Sequence, residues 1–382
     1  MPAHHKASQS MPEPLHPAEA SACPGPRILV VNPGSTSTKL SVFEGERECI
    51  QGNVVHSTED LKPFRRITDQ IEFRMVLIRR FLQDNRVDIR TLKAVVARGG
   101  LLKPIRSGVY RVNAAMLEDL RSGRFGEHAS NLGGILAHGL AGEAGCPAYI
   151  VDPVVVDEMD DVARLSGLPG LERKSIFHAL NQKSVAREVA RKIGKPYTDC
   201  NFIVAHMGGG ISVGAHRRGA VVDVNNALDG DGPFPPERTG GLPVGQLVEM
   251  CFSGKYTLAE MKRKIVGMGG LVAYRGANSF QELKAARRAG DKKAKLLYEA
   301  MAYQVSKEIA MHGATLKGAV DRIILTGGLA YDETFVGMIR ERVSHLAAVA
   351  VIPGEREMAS LAQATWAVLR KIEPEGEYRT CS

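Results

Sequence analysis

Apolar and polar positions along the chain predict short strands separated by turns of glycine and small polar residues. The apolar run at 28–31 predicts a buried strand, and strand-like stretches follow at 39–43 and 48–55. The same order of strand, small-residue turn and strand returns at 202–206 and 211–215. The pattern therefore predicts two copies of an antiparallel meander.

Helical patterns follow each meander and lead into a strand that breaks at a glycine pair. Apolar residues recur near helical spacing over 68–83 and 292–315, and the strands that follow are predicted at 93–97 and 321–325. This alternation predicts a duplicated, two-lobed α/β fold. We expect mixed sheets covered by helices and an active-site cleft between the lobes.

The repeat also indicates where the lobes begin and end. We assign residues 27–155 together with 353–372 to an N-terminal lobe, and residues 156–352 to a C-terminal, nucleotide-binding lobe. Helical apolar spacing near the end of the chain places Trp366 in the core of the first lobe. The proline-rich residues 1–26 are predicted to form a disordered tail outside the fold.

Composition narrows the class of protein. With 44% hydrophobic and 24% charged residues, the chain is typical of a globular enzyme rather than a fibrous or disordered protein. A net charge of +8 over 382 residues is too dilute for a nucleic-acid module, and the sequence has no apolar run long enough to span a bilayer, so we predict neither nucleic acid nor membrane as a partner. Six scattered cysteines without a C-x-x-C pair predict free thiols in a reducing, cytoplasmic compartment.

Three turns of small residues stand at predicted strand ends and are candidates for binding phosphate groups. They lie at 32–39, 208–210 and 327–328. Backbone amides in such turns can approach phosphate oxygens because no large side chain intervenes. The sequence has no Walker motif, and the second turn leads into a strand rather than a helix, which excludes the dinucleotide fingerprint. Together the turns predict a nucleotide cleft.

Five motifs occur in a fixed order along the chain: Val31–Lys39, Gly126–Leu132, Ile176–His178, Ala205–Gly210 and Leu325–Gly328. Together they resemble the acetate/butyrate kinase family, also called the acetokinase family, within the sugar kinase and actin-like ATPase superfamily. Arg98–Pro104 and Gly232–Phe234 resemble its butyrate kinase branch more closely. The resemblance implies reversible, ATP- and Mg²⁺-dependent phosphorylation of butyrate or isobutyrate to acyl phosphate and ADP. It also implies a homodimer or a higher homo-oligomer.

The resemblance assigns roles to individual residues of the predicted cleft. Arg98, His178 and Arg238 would hold the carboxylate and the transferring phosphoryl group, and Asp152 would orient an arginine. Nucleotide contacts are implied for Asn32, Ser35, Thr36, Lys39, His206, Gly208, Gly209, Gly210, Gly327 and Gly328. The acyl end is assigned to His128, Phe177, Pro233 and Phe234. Magnesium contacts are implied for Asn32 and for Asp332 or Glu333.

The chemistry of the implied substrate fits this set of residues. A carboxylic acid with a pKa of about 4 to 5 is already ionised at neutral pH, so the nucleophile needs no general base. The catalyst must instead bring two anions together, which calls for cations and oriented donors. We expect Gly99 and Gly100 to leave space for extra methylene groups, and hence a preference for butyrate or isobutyrate over acetate.

Two alternatives remain open from the sequence. A sugar or amino-sugar kinase of the same superfamily would need a carboxylate base for its alcohol, and Asp152 could serve. A non-catalytic, actin-like nucleotide-binding protein would bind ATP without any carboxylate-dependent turnover. Trapping an acyl phosphate with hydroxylamine separates the proposed activity from both.

Overall fold

The computed structural model describes residues 25–379, and its strands form two sheets with one shared topology. The strands are β1 (Arg27–Pro33), β2 (Ser37–Glu44), β3 (Arg47–Val55), β4 (Leu92–Arg98), β5 (Val109–Arg111), β6 (Ala148–Val151), β7 (Asn201–Met207), β8 (Ile211–Arg217), β9 (Ala220–Val224), β10 (Arg322–Gly327), β11 (Val349–Pro353) and β12 (Glu375–Glu377). The helices are α1 (Thr58–Leu61), α2 (Ile71–Asp84), α3 (Ala114–Ser122), α4 (Asn131–Ala144), α5 (Asp161–Arg164), α6 (Ala179–Lys192), α7 (Val244–Phe252), α8 (Leu258–Ile265), α9 (Gly270–Arg275), α10 (Phe280–Arg288), α11 (Lys292–Thr315), α12 (Glu333–Val343) and α13 (Glu357–Leu369).

Both sheets combine an antiparallel meander with parallel strands. The first has the order β12-β5-β6-β4-β1-β2-β3; β1 pairs antiparallel with β2 and parallel with β4, and β4 pairs parallel with β6. The second has the order β11-β10-β7-β8-β9; β7 pairs antiparallel with β8 and parallel with β10, and β10 pairs parallel with β11. The expectation of a duplicated fold is confirmed, because β7–β8–β9, β10 and β11 repeat the arrangement of β1–β2–β3, β4 and β6.

Helices cover both faces of each sheet. On the first sheet, α2, α3 and α4 pack over one face, and α13, with Leu361 and buried Trp366, packs over the other. On the second sheet, α10, α11 and α12 cover one face and α6 covers the other. Because α6 also contacts α13, the two inner helices join the lobes. The carboxyl ends of β1, β4, β7 and β10 carry Asn32, Arg98, His206 and Gly327, and ligand sites in α/β sheets form at such ends.

The first sheet continues past residue 372, because β12 at 375–377 adds to its edge beside β5. Most of the predicted tail, residues 1–24, lies outside the described residues, as do Cys23 and Cys381. Cys146, Cys200 and Cys251 are free thiols. Within residues 25–379, no helix is long and apolar enough to cross a membrane.

Candidate active site

Two stacked histidines lie between the lobes. His178 immediately precedes α6, His206 is near the end of β7, and their ring centroids are 3.9 Å apart with an interplanar angle of 15°. Burial lowers the pKa of His206 to about 4, and burial together with neighbouring His206 lowers the pKa of His178 well below its usual range. Both rings are therefore neutral at physiological pH.

Two arginines and a third histidine face the same small cavity as His178. The cavity has a volume of about 60 Å³ and is lined by Arg98, Leu101, His128, Val154, Ile176, Phe177, His178, Ala227, Leu228 and Arg238. Its polar members are two guanidinium groups and two imidazoles, and the rest of its wall is apolar. Burial, followed by the charges of Arg98 and Arg238, lowers the pKa of His128 to about 4. The cavity thus combines a cationic end with an apolar wall.

Arg238 is held in place by the loop between β9 and α7. Its Nη1 donates a hydrogen bond to the carbonyl oxygen of Ala227 at 2.7 Å. A Cβ atom at Gly210 would collide with the same Nη1, so glycine at this position lets the guanidinium approach the β7–β8 turn. Burial lowers the pKa of Arg238, but an arginine so shifted remains charged at neutral pH.

A buried carboxylate links the first glycine turn to Arg98. Glu357, at the start of α13, accepts a hydrogen bond from Asn32 Nδ2 at 2.6 Å and pairs with Arg98 Nη1 at 3.1 Å. Only 6% of Glu357 is exposed. These residues border a second cavity of about 360 Å³, lined by Asn32, Lys39, Gln51, Gly52, Asn53, Glu355, Glu357 and Met358. Sequence reasoning missed Glu357, although its place just after β11 was a usable signal.

The second and third glycine turns lie side by side. Gly327 has a φ of +88°, and a Cβ there would collide with the carbonyl oxygen of Met207, which directly precedes the Gly208–Gly210 turn. Gly328, by contrast, has open space around its Cβ position. Glu355 connects this region to the second cavity, because its Oε1 lies 3.7 Å from His206 Nε2. The structure therefore brings His206 and two glycine turns next to the cavity that contains Asn32 and Lys39.

The fully buried Arg74 stabilises the first glycine turn through hydrogen bonds. Arg74 of α2 donates hydrogen bonds to the carbonyl oxygens of Ser35, at 3.3 Å, and Ser37, at 3.1 Å, and to Thr38 Oγ1 at 3.0 Å. Its other partner is Gln70 Oε1. Burial lowers its pKa to about 10, and within residues 25–379 no carboxylate lies at ion-pair distance from it. The side chains of Ser35 and Thr36 stay exposed at the tip of the turn.

Asp152 does not have the surroundings expected for a residue of the reaction cleft. Its Oδ1 accepts hydrogen bonds from Ser107 Oγ and from the Gly108 amide, and its Oδ2 lies 3.6 Å from Arg187 Nη1. It does not line the 60 Å³ cavity. The arginine that Asp152 orients is therefore Arg187 of α6, rather than Arg98 or Arg238.

Asp332, to which the resemblance implies a magnesium contact, lines neither cavity, and its oxygens are engaged elsewhere. Oδ1 caps α12 by accepting from the Thr334 and Phe335 amides, and Oδ2 pairs with Lys284 at 2.8 Å. The carboxylate beside Asn32 is Glu357.

Two of the four residues assigned to the acyl end lie elsewhere. His128 and Phe177 line the small cavity, but Phe234 is buried in the core of the second lobe and Pro233 lines a separate surface pocket. Gly99 and Gly100 also leave no room for substrate. A Cβ at Gly99 would lie 2.5 Å from Pro153, and one at Gly100 would lie 2.5 Å from Asn131. These glycines permit close packing inside the first lobe.

A family model decides where the chain belongs. The model described as the acetokinase family matches residues 170–364, just over half of the chain, including His178, His206 and Arg238. The chain belongs to the acetokinase family. It is therefore a kinase with a carboxyl group as acceptor, as the sequence motifs implied.

Solved structures of acetokinase-type enzymes resemble the chain over almost its whole length. The acetate kinase of Porphyromonas gingivalis has 18% sequence identity and a TM-score of 0.75, over 90% of this chain and 100% of that one. A propionate kinase from Francisella tularensis subsp. tularensis SCHU S4 has 18% identity and a TM-score of 0.70, over 89% and 98% of the two chains. The acetate kinase of Entamoeba histolytica has 14% identity and a TM-score of 0.69, over 89% and 99%. The expected actin-like ATPase fold of two lobes is confirmed.

Proposed function

We propose that this acetokinase-family member transfers the γ-phosphoryl group of ATP to butyrate or isobutyrate, forming an acyl phosphate and ADP in a reversible reaction. The observation that carries the proposal is the 60 Å³ cavity, where Arg98, His128, His178 and Arg238 meet an apolar wall. A short fatty acid has the same two-part character. Its carboxylate matches the cationic end and its hydrocarbon tail matches the wall.

The cationic end supplies what this reaction needs. Carboxylate and triphosphate repel one another, and guanidinium groups can bind carboxylate or phosphoryl oxygens through paired hydrogen bonds. Arg98 and Arg238 would divide these two tasks, and His178 would donate a hydrogen bond to the phosphoryl group. Since the acid is ionised at neutral pH, no general base is required. Asp152 lies outside this cavity and is paired with Arg187, which disfavours the sugar kinase alternative because that reaction needs a free carboxylate base in the cleft.

The apolar wall of the cavity favours a tail longer than that of acetate. Leu101, Val154 and Leu228 contribute apolar side chains to this wall from three different segments. A three-carbon tail can contact more of the wall than one methyl group can. Each buried methylene contributes about 0.8 kcal/mol, so two of them favour butyrate over acetate by about tenfold in kcat/KM.

The residues around Asn32 fit a magnesium ion. Mg²⁺ is usually held by one or two carboxylates together with water and substrate phosphate, so it needs no cage of protein ligands. Asn32 Oδ1 remains available because Nδ2 is the atom that donates to Glu357, and the buried Glu357 carboxylate, itself paired with Arg98, would hold that amide in place beside the ion. The ion would neutralise charge on the phosphates when bound. Asn32, Lys39 and the glycine turns would position the nucleotide beside it.

The experiment that tests the proposal measures acyl phosphate formation, trapped by hydroxylamine, with acids of two to five carbons and with hexoses. We expect butyrate or isobutyrate to give the highest kcat/KM. Val154→Phe should fill the cavity and shift the preference toward acetate, whereas Val162→Phe, at a site that is 82% exposed, should not. Equal kcat/KM for acetate and butyrate in the unmodified protein contradicts the chain-length proposal, and turnover of hexoses alone contradicts the reaction itself.

A further inference from the structure

A chain of buried hydrogen bonds leads from the active site into the second lobe. His178 Nδ1 lies 2.8 Å from Ser212 Oγ, which lies 2.8 Å from Gln182 Nε2. Gln182 Oε1 lies 3.0 Å from His216 Nε2, and His216 Nδ1 lies 2.7 Å from the Tyr197 hydroxyl. Gln182, Ser212 and His216 are fully buried. Each polar atom in the chain must therefore find its partner within it.

The carbonyl oxygen of Ser212 determines the direction of the hydrogen bonds in the outer half of the chain, from Gln182 to Tyr197. Gln182 Nε2 lies 3.0 Å from the carbonyl oxygen of Ser212, which can only accept, so Nε2 must be the amide nitrogen and Oε1 must face His216. An oxygen at that place requires a proton on His216 Nε2. His216 Nδ1 is then bare and accepts from the Tyr197 hydroxyl. Burial keeps this arrangement neutral, since it lowers the pKa of His216 and raises that of Tyr197.

In the inner half of the chain, from Gln182 to His178, the directions follow from the number of hydrogen bonds that the Ser212 hydroxyl can make. Ser212 Oγ has two lone pairs and one proton. Gln182 Nε2 and the His178 backbone amide, at 2.8 and 3.4 Å, donate to the two lone pairs. Because both lone pairs are occupied, Oγ cannot accept from a third donor. The Ser212 hydroxyl must therefore donate its own proton to His178 Nδ1. The single proton of the neutral His178 ring is left on Nε2.

We propose that the Tyr197–His216–Gln182–Ser212 chain is a positioning network that locks His178 in the Nε2–H tautomer, so that an N–H donor faces the transferring phosphoryl group. This inference deepens the proposed function and rests on it for the identity of the group that receives the hydrogen bond. Within residues 25–379, His178 Nε2 has no hydrogen-bond partner, while its ring lines the cavity that contains Arg98 and Arg238. The opposite tautomer would turn a lone pair toward an anion and repel it.

Gly214 leaves the space that the Gln182 side chain of this network occupies. A Cβ atom at Gly214 of β8 would lie 2.7 Å from Gln182 Oε1, inside the contact distance of the two groups. Glycine at this point of the strand therefore leaves space for the amide that sets the direction of the chain.

The test combines spectroscopy with kinetics on the full chain. Nitrogen-15 NMR of histidine-labelled protein, assigned with His178→Gln, reports which ring nitrogen carries the proton, and it needs no substrate. We expect the Nε2–H tautomer of His178 in the unmodified protein. In Ser212→Ala we expect a mixture of tautomers and a kcat for butyryl phosphate formation that falls roughly tenfold to hundredfold, with the KM for butyrate changed much less.

Two further variants separate positioning from general loss of packing. Gln182→Glu has at most one proton to donate, and the carbonyl oxygen of Ser212, which can only accept, would take it. Ser212 Oγ then loses a donor, so the hydrogen bonds between Ser212 and His178 should reverse and place the His178 proton on Nδ1. Ser306→Ala removes a similarly buried hydroxyl that donates to the carbonyl oxygen of Ala302, away from this network, and it should leave both tautomer and kcat unchanged. An Nδ1–H tautomer in the unmodified protein overturns the proposal, as does an unchanged tautomer in both Ser212→Ala and Gln182→Glu. Absence of acyl phosphate from every acid would instead count against the proposed function, because the tautomer is read without turnover.

Discussion

At the scale of single residues, the active site concentrates neutral histidines around permanent cations. His128 and His206 each have a pKa lowered to about 4, mainly by burial, whereas Arg98 and Arg238 remain charged. Positive charge therefore comes from groups that keep it at every physiological pH. The histidines contribute hydrogen bonds, whose direction depends on which ring nitrogen carries the proton.

Burial of neutral histidines makes stability depend on pH, and His56, which lies 2.9 Å from Thr38 Oγ1 of the first phosphate turn, allows this to be measured. Its pKa falls from the ordinary 6.5 to about 4, chiefly through burial. Between these values the unfolded chain binds a proton that the folded chain does not, so the free energy of unfolding must fall as pH falls. We expect urea unfolding to show a smaller loss between pH 7 and pH 5 in His56→Gln than in the unmodified protein. The same loss in both proteins would show that His56 carries no such linkage.

At the scale of elements, the first phosphate turn depends on a helix that the sequence motifs do not include. Arg74 of α2 is fully buried and donates to carbonyl oxygens of the β1–β2 turn. A buried charge is costly when no carboxylate pairs with it, as is the case for Arg74 among residues 25–379, and this charge lies next to a turn that would hold an anion. Helix α2 therefore shapes the turn and adds positive potential to it.

Replacing Arg74 tests this dependence on α2. Arg74→Met leaves two carbonyl oxygens of the turn without donors, so we expect the free energy of unfolding to fall by about 2 to 4 kcal/mol. We also expect the KM for ATP to rise more than the KM for butyrate. Arg80→Met, on the exposed side of the same helix, is the matched control. A variant with unchanged stability and an unchanged KM for ATP would rule out the supporting role of Arg74.

At the scale of the whole molecule, the sequence predicted the architecture better than the site. The repeated meanders predicted two sheets, because the strands and turns of a meander follow one another directly in the sequence. Contacts such as that between Arg98 and Glu357, which lie 259 positions apart, depend on how α13 returns to the first sheet. The local sequence pattern carries no information about that return. Glu357 was therefore missed, and the magnesium contact was assigned to Asp332. The apolar wall of the small cavity was missed for the same reason, since Leu101, Val154, Ile176 and Leu228 come from distant segments.

One exposed apolar helix is a candidate contact site between copies of the chain. Helix α7 has the sequence VGQLVEMCF and no buried residue, and Phe252 is 87% exposed. Exposed apolar surface of this kind marks contact sites, and the family resemblance implies a homodimer, so we propose a second copy of the chain as its partner. We expect Phe252→Asp to lower the mass measured by light scattering to that of a monomer, while Val162→Asp does not. A monomeric unmodified protein would contradict the proposed dimer.

The most direct test of the account is the kcat/KM for butyryl phosphate formation in Arg238→Ala relative to the unmodified protein. Arg217→Ala, which removes a surface arginine paired with Asp160, is the control. If Arg238 stabilises the transferring phosphoryl group, its loss should lower kcat/KM on the order of a thousandfold, with folding intact. A kcat/KM close to that of the unmodified protein would contradict the claim that this cavity is where the phosphoryl group is transferred.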